Sequence, residues 1–138
     1  FTREYEAVAV GSIKSDGTVN APIGRNKADR KKMCVTSENS KEAITHYHVL
    51  ENLPGYTHLR LRLETGRTHQ IRVHMAYIGH PVAGDDVYGP KKVITELCGQ
   101  CLHAGKIGFI HPRTNEYMEF TSPLPEYFTK FLSKLKPL

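Results

Sequence analysis

Between Thr57 and Tyr77 the spacing of apolar residues changes from every second position to every third or fourth, and the change falls at Thr65-Gly66. Before it, Leu59, Leu61 and Leu63 point one way while Arg60 and Arg62 point the other. That alternation describes an antiparallel strand buried on one face, with a basic outer face. After it, Ile71, Met75 and Ile78 stand at i, i+4 and i+7, which predicts a helix from about Thr68 to Tyr77. Gly79 would end that helix and Thr68 would cap its start. Arg72 then falls beside the apolar stripe, where it can line a cleft at the edge of the core.

The rest of the chain reads mostly as strands. Residues 4–13 alternate Tyr5, Ala7 and Ala9 against Val8 and Val10. Ser15-Asp16-Gly17-Thr18 supplies a turn, and a short extended piece follows from Val19 to Ile23. Residues 25–33, RNKADRKKM, are a basic run with no apolar face, expected as a solvated loop. Ala43–Glu51 and Thr57–Leu63 form two strands joined through Leu53-Pro54-Gly55. Pro81–Pro90 is expected as loop, Lys91–Gln100 as a short helix, and Leu102–Ile110 with Glu116–Phe120 as a hairpin. Tyr127, Phe128, Phe131, Leu132 and Leu135 give a closing amphipathic helix. Strands and helices do not alternate as βαβ units, so the fold class is α+β with a mixed, mainly antiparallel sheet.

At 138 residues the chain is one domain's worth, and 39% hydrophobic content is ordinary for a globular protein. No apolar run is long enough to span a bilayer, and no signal-peptide core opens the sequence, so no membrane partner is expected. Three cysteines without secretory features argue for a reducing compartment, expected to be the cytoplasm. The net charge of +5 favours an anionic partner such as nucleic acid without requiring one. Phe1 in place of Met, with a strand already under way, suggests a processed or truncated chain.

Leu63–Gly89 concentrates Arg67, His69, Arg72, His74 and His80 among Gly66, Gly79 and Gly84, as a surface facing something negative would. Arg67 and Arg72 could hold phosphate or a buried carboxylate near a helix N-terminus. A structural salt bridge from Arg72 to Glu64 or Asp85 is the equal alternative. Cys98 and Cys101 have CxxC spacing but lack a thioredoxin-like setting or two further zinc ligands, so small buried or half-exposed thiols are the reading. The histidines carry no zinc signature, and no metal or cofactor is expected. Nor is there a GxSxG elbow or a phosphate-binding P-loop.

Read together, the motifs resemble those of the RluA-type pseudouridine synthases. The likeness runs through Tyr5-Glu-Ala-Val-Ala-Val-Gly11, Ala21-Pro-Ile-Gly-Arg25, Arg30-Lys-Lys-Met33 and Ala43-Ile-Thr-His-Tyr47. Leu63-Glu-Thr-Gly-Arg-Thr-His-Gln-Ile-Arg-Val-His74 is its strongest element. Ile78-Gly-His-Pro81, Gly84-Asp85, Tyr88-Gly89, Leu102-His-Ala104, His111-Pro112 and Ser122-Pro-Leu-Pro125 complete it. The order and number of matches make it specific.

The resemblance implies an enzyme that isomerises uridine to pseudouridine in structured RNA, ribosomal ahead of transfer, without metal or organic cofactor. It implies that Tyr5 stacks on the target uracil and assists proton removal. Arg72 would orient a catalytic aspartate, and Leu102 would pack beside the base. Charge and position add Arg25, Arg30, Lys31, Lys32, Arg67 and His69 as RNA contacts. The family's catalytic aspartate lies in an HRLD-like motif upstream of the Tyr5 strand, and these residues contain no such motif. Asp16, Asp29, Asp85 and Asp86 do not take its place. Residues 1–138 are therefore expected to be the C-terminal part of a single catalytic domain, inactive alone and self-associating through uncovered sheet edges. The alternative is a non-catalytic RNA-binding protein on the same fold.

Overall fold

The computed structural model describes residues 2–89, 101–110 and 112–135. In chain order the described elements are β1 (Thr2–Val10), β2 (Gly17–Asn20), β3 (Ile23–Arg25), β4 (Met33–Val35), β5 (Ser40–Lys41), β6 (Ile44–Leu53) and β7 (Tyr56–Leu63). There follow α1 (Gln70–Tyr77), β8 (Leu102–Ile110), β9 (Tyr117–Thr121) and α2 (Glu126–Leu135). Six strands form a sheet in the order β2-β6-β7-β1-β8-β9, and a small sheet has the order β4-β3-β5. Every pairing between these strands is antiparallel.

β1 lies inside the large sheet and is covered on both faces. Ala7 and Ala9, with Leu59 and Leu61 of β7, meet Ile71 and Met75 of α1 in one buried cluster. Val8 points the other way and meets Phe128, Phe131 and Leu132 of α2. The period of two along β1 thus feeds two cores. On β7 the alternation holds as expected: Leu59 and Leu61 are buried, and Arg60 and Arg62 are exposed.

Several boundaries differ from the sequence expectation. β1 ends at Val10 because Gly11 takes a positive φ of 90°. The piece expected from Val19 to Ile23 divides at Ala21-Pro22 into β2 and β3, which belong to different sheets. Met33, the end of the expected basic loop, opens β4 and pairs with Arg25 across a hairpin. The hairpin's own turn is built by the Asn26 side-chain carbonyl, which accepts from the Ala28 and Asp29 amides. The short helix expected over Lys91–Gln100, together with Cys98 and His111, lies outside the described residues.

Candidate active site

α1 begins two residues later than expected, and Thr68 does not cap it. His69 holds the N-cap position in the left-handed conformation (φ 55°, ψ 24°) and makes no side-chain cap bond. The turn before the helix is tied down by Gln70 instead. This buried side chain accepts at Oε1 from the Thr65 hydroxyl (2.7 Å) and the Arg67 amide (3.0 Å). At Nε2 it donates to the Ile44 carbonyl and the Thr45 hydroxyl oxygen, both at 3.0 Å. Four bonds from one amide fix Arg67 against β6, and Arg67 Nε donates to the Glu42 carbonyl (2.7 Å).

One turn on, His74 is fully buried. Its Nε2 lies 2.8 Å from the Ala21 carbonyl, which can only accept, so Nε2 carries the proton. Nδ1 then accepts from Thr45 Oγ1 at 2.8 Å. Burial drives the His74 pKa below its ordinary value, against the opposing pull of the Ala21 carbonyl. His74 is a strut between α1 and the chain entering β3.

Arg72 meets its carboxylate within this chain. Its Nε and Nη2 donate to Asp85 Oδ2 (2.8 Å) and Oδ1 (3.0 Å), a two-pronged pair with an Asp85 side chain fully removed from solvent. Of the partners the sequence left open, Asp85 is the one present. It is close because Gly79 and Gly84, both at positive φ, turn the chain after α1 back along the helix. Asp85 Oδ1 also accepts from the Val87 and Tyr88 amides. Burial alone would raise the Asp85 pKa; the Arg72 bond and those amides outweigh it and hold it below the ordinary value. The Asp85 bond raises the Arg72 pKa, so the guanidinium stays charged.

Tyr5, Leu102 and Arg72 converge on one pocket of about 420 Å³, walled also by Arg67, His69 and the unforeseen Arg3. That size falls within the range of small-molecule sites. Tyr5 and Leu102 reach it because they face the same side of the sheet as Ala7, packed against the α1 core. Among the described residues, no carboxylate lines the pocket. Gly66 forms part of the wall, and a β-carbon there would collide with the Arg3 guanidinium. Burial and the nearby Arg72 lower the His69 pKa, which keeps the imidazole neutral in spite of Asp85.

The expected RNA contacts divide into two groups. Arg67 and His69 line this pocket, and Arg67 also walls a cleft of about 350 Å³ that Arg25 and Lys41 share. Arg30 and Lys31 are exposed on the β3–β4 turn, where the Arg30 carbonyl accepts from Arg25 Nη1 (2.6 Å). Lys32 lies on the far side of the hairpin, facing a separate groove. Arg3, Gln70, Lys41 and Tyr88 were not anticipated. Gln70 left no signal in the sequence, because its partners lie on β6, far away along the chain.

A family profile described as RNA pseudouridylate synthase matches residues 1–77, more than half of the 138. The chain belongs to the RNA pseudouridylate synthase family. It is 56% identical over 136 residues to a Bacillus subtilis protein named uncharacterized RNA pseudouridine synthase YlyB, covering 98% of this chain and 44% of that protein. It is 48% identical over 148 residues to the ribosomal large subunit pseudouridine synthase D of Haemophilus influenzae, covering 99% of this chain and 45% of that one. Among solved structures, human RNA pseudouridylate synthase domain containing 1 matches with a TM-score of 0.78 at 30% identity, over 97% of this chain and 65% of its own. The chain thus spans under half the length of these two bacterial relatives. The α+β pseudouridine synthase fold expected from the sequence is the fold observed.

Proposed function

We propose that the protein carrying these residues is an RNA pseudouridine synthase, and that residues 1–138 hold the tyrosine–arginine–leucine side of its active site. The convergence of Tyr5, Leu102 and Arg72 on one cation-walled pocket carries this reading. The reaction breaks the N1–C1′ bond of uridine, turns the base, and joins C5 to C1′; the C5 proton then leaves and N1 is protonated. In this role Tyr5, which lines the pocket together with Leu102, would give the base a stacking face, and its hydroxyl would take part in the late proton removal. Arg3, Arg67 and Arg72 give the flipped nucleotide a positive enclosure. On this reading residues 1–138 would be the C-terminal part of a catalytic domain and the nucleophilic aspartate would come from another part of the protein, since no carboxylate lines the pocket among the described residues.

The names of relatives support ribosomal large-subunit RNA as the substrate. The pocket's lack of a carboxylate among the described residues favours a second reading for these residues by themselves: they bind RNA without turnover. Tritium release from RNA labelled at uridine C5 tests both. The full-length gene product releases tritium, Tyr5→Ala abolishes release, and residues 1–138 bind without releasing it. No release by the full-length protein from any ribosomal RNA overturns the assignment.

A further inference from the structure

Tyr88 occupies a junction that none of the roles above uses. Its hydroxyl oxygen accepts from the Met33 amide at 3.0 Å and contacts His69 Nδ1 at 2.7 Å. Met33 opens β4 directly after Lys32, so this bond pins the base of the basic hairpin. The Arg72 guanidinium carbon lies 5.1 Å from the Tyr88 ring centroid, and the His69 ring meets it edge-on at 5.6 Å. One side chain therefore touches the hairpin through its oxygen and two pocket residues through its ring and oxygen.

The backbone holds Tyr88 in this place. Its amide is bound by Asp85, the same carboxylate that grips Arg72. Gly89 follows it, where a β-carbon would stand 2.8 Å from the Asp85 carbonyl and 3.0 Å from Pro81 Cβ. A side chain at 89 would therefore push the turn apart. His69 needs an outside partner, because a non-glycine residue in the left-handed region is held there only by its surroundings. Its contact with Tyr88 provides one.

We propose that Tyr88 is a positioning residue for the isomerisation, docking the β3–β4 hairpin on the pocket rim while holding Arg72 and His69 in place. RNA lying on the hairpin and the base lying in the pocket are thereby held in one frame. The inference rests on the proposed synthase activity. It adds that the hydroxyl ties the hairpin to His69 at the pocket rim while the ring alone faces Arg72, so the two parts of one side chain affect different steps.

The test uses the full-length gene product and transcribed large-subunit ribosomal RNA, with dissociation constants and single-turnover rates at saturating RNA. Tyr88→Phe removes only the hydroxyl, and with it the Met33 and His69 contacts: the dissociation constant rises roughly 5- to 10-fold, within the net worth of such hydrogen bonds, and the rate falls less. Tyr88→Leu removes the ring as well, and its rate falls a further tenfold or so with binding like that of Tyr88→Phe. Wild-type binding and rate in Tyr88→Phe overturn the inference and leave the synthase assignment standing. So do losses in both variants that vanish when they are assayed well below their melting temperatures. A wild-type protein that isomerises no uridine overturns the assignment and the inference together.

Discussion

Arg72 and Asp85 are the pair on which most else depends. Arg72→Ala strands a carboxylate fully out of water, and its expected cost is about 3–5 kcal/mol of stability by urea unfolding. Asp85→Asn in the same background should recover part of that loss, because the uncompensated charge goes with it. Equal stability of the single and double variants would show that burial of the charge is not the cause. Sequence spacing placed Arg72 at the core's edge but left its partner open, since Glu64 and Asp85 both lay within reach along the chain. Gln70 was illegible for another reason. A polar side chain in a buried position declares itself only through partners on β6, far away in sequence.

Depressed pKa values at His69, His74 and Asp85 shape the response to pH. His74 and Asp85 both have depressed pKa values in the folded chain, so the unfolded chain binds protons more readily at each site. The contribution of each is present above its unfolded value and lost as pH falls through its folded value. Thermal melts should therefore hold steady above about pH 6.5, weaken as His74 becomes protonated, and weaken again below about pH 4 with Asp85. His74→Gln should shrink the first step to the share that His69 contributes while leaving the second. A melting temperature that rises on acidification from pH 7 to 5 would contradict the sign.

Among the elements, β7 and α2 could be read directly because each displays its own period. Leu61 lies wholly within the core beneath α1, and Leu61→Ala should cost about 2–5 kcal/mol. β4 could not be read: it opens at the end of a run of charges, and its partner β3 is itself only three residues long. What makes it a strand is the small sheet around it and the Tyr88 hydroxyl at its first amide. α1 was legible along its apolar stripe and not at its start, because its N-cap uses a left-handed histidine where a threonine side chain was expected. The hairpin carrying Lys31 and Lys32 gives the matching functional prediction. Lys31→Ala with Lys32→Ala should weaken RNA binding and shallow its salt dependence, by up to about 0.7–0.9 for each phosphate left without its lysine, with little change in melting temperature. An unchanged salt slope would remove these lysines from the interface.

At the scale of the molecule, the large sheet is sandwiched where β1 runs and, among the described residues, open at its two outer strands, β2 and β9. β9 exposes Tyr117 and Phe120, each more than half accessible, along a strand with a described partner on one side only. Purified residues 1–138 are expected to associate through that edge. Light scattering that gives a monomer mass across a wide concentration range would count against it. The same sandwich buries Cys101 completely and pushes its thiol pKa up to about 12. Its alkylation should thus require unfolding, as a buried thiol reads, while the half-buried Cys34 reacts sooner.

The grip of Asp85 on Arg72 also has a directional consequence. A guanidinium offers an anion a flank, through Nε and one Nη, or an end, through the two Nη groups. Asp85 occupies the flank. Any second anion reaching Arg72, carboxylate or phosphate, must therefore arrive end-on, along the axis of the side chain. The route of approach into the pocket is fixed before that anion is present, by a residue that never needs to touch it.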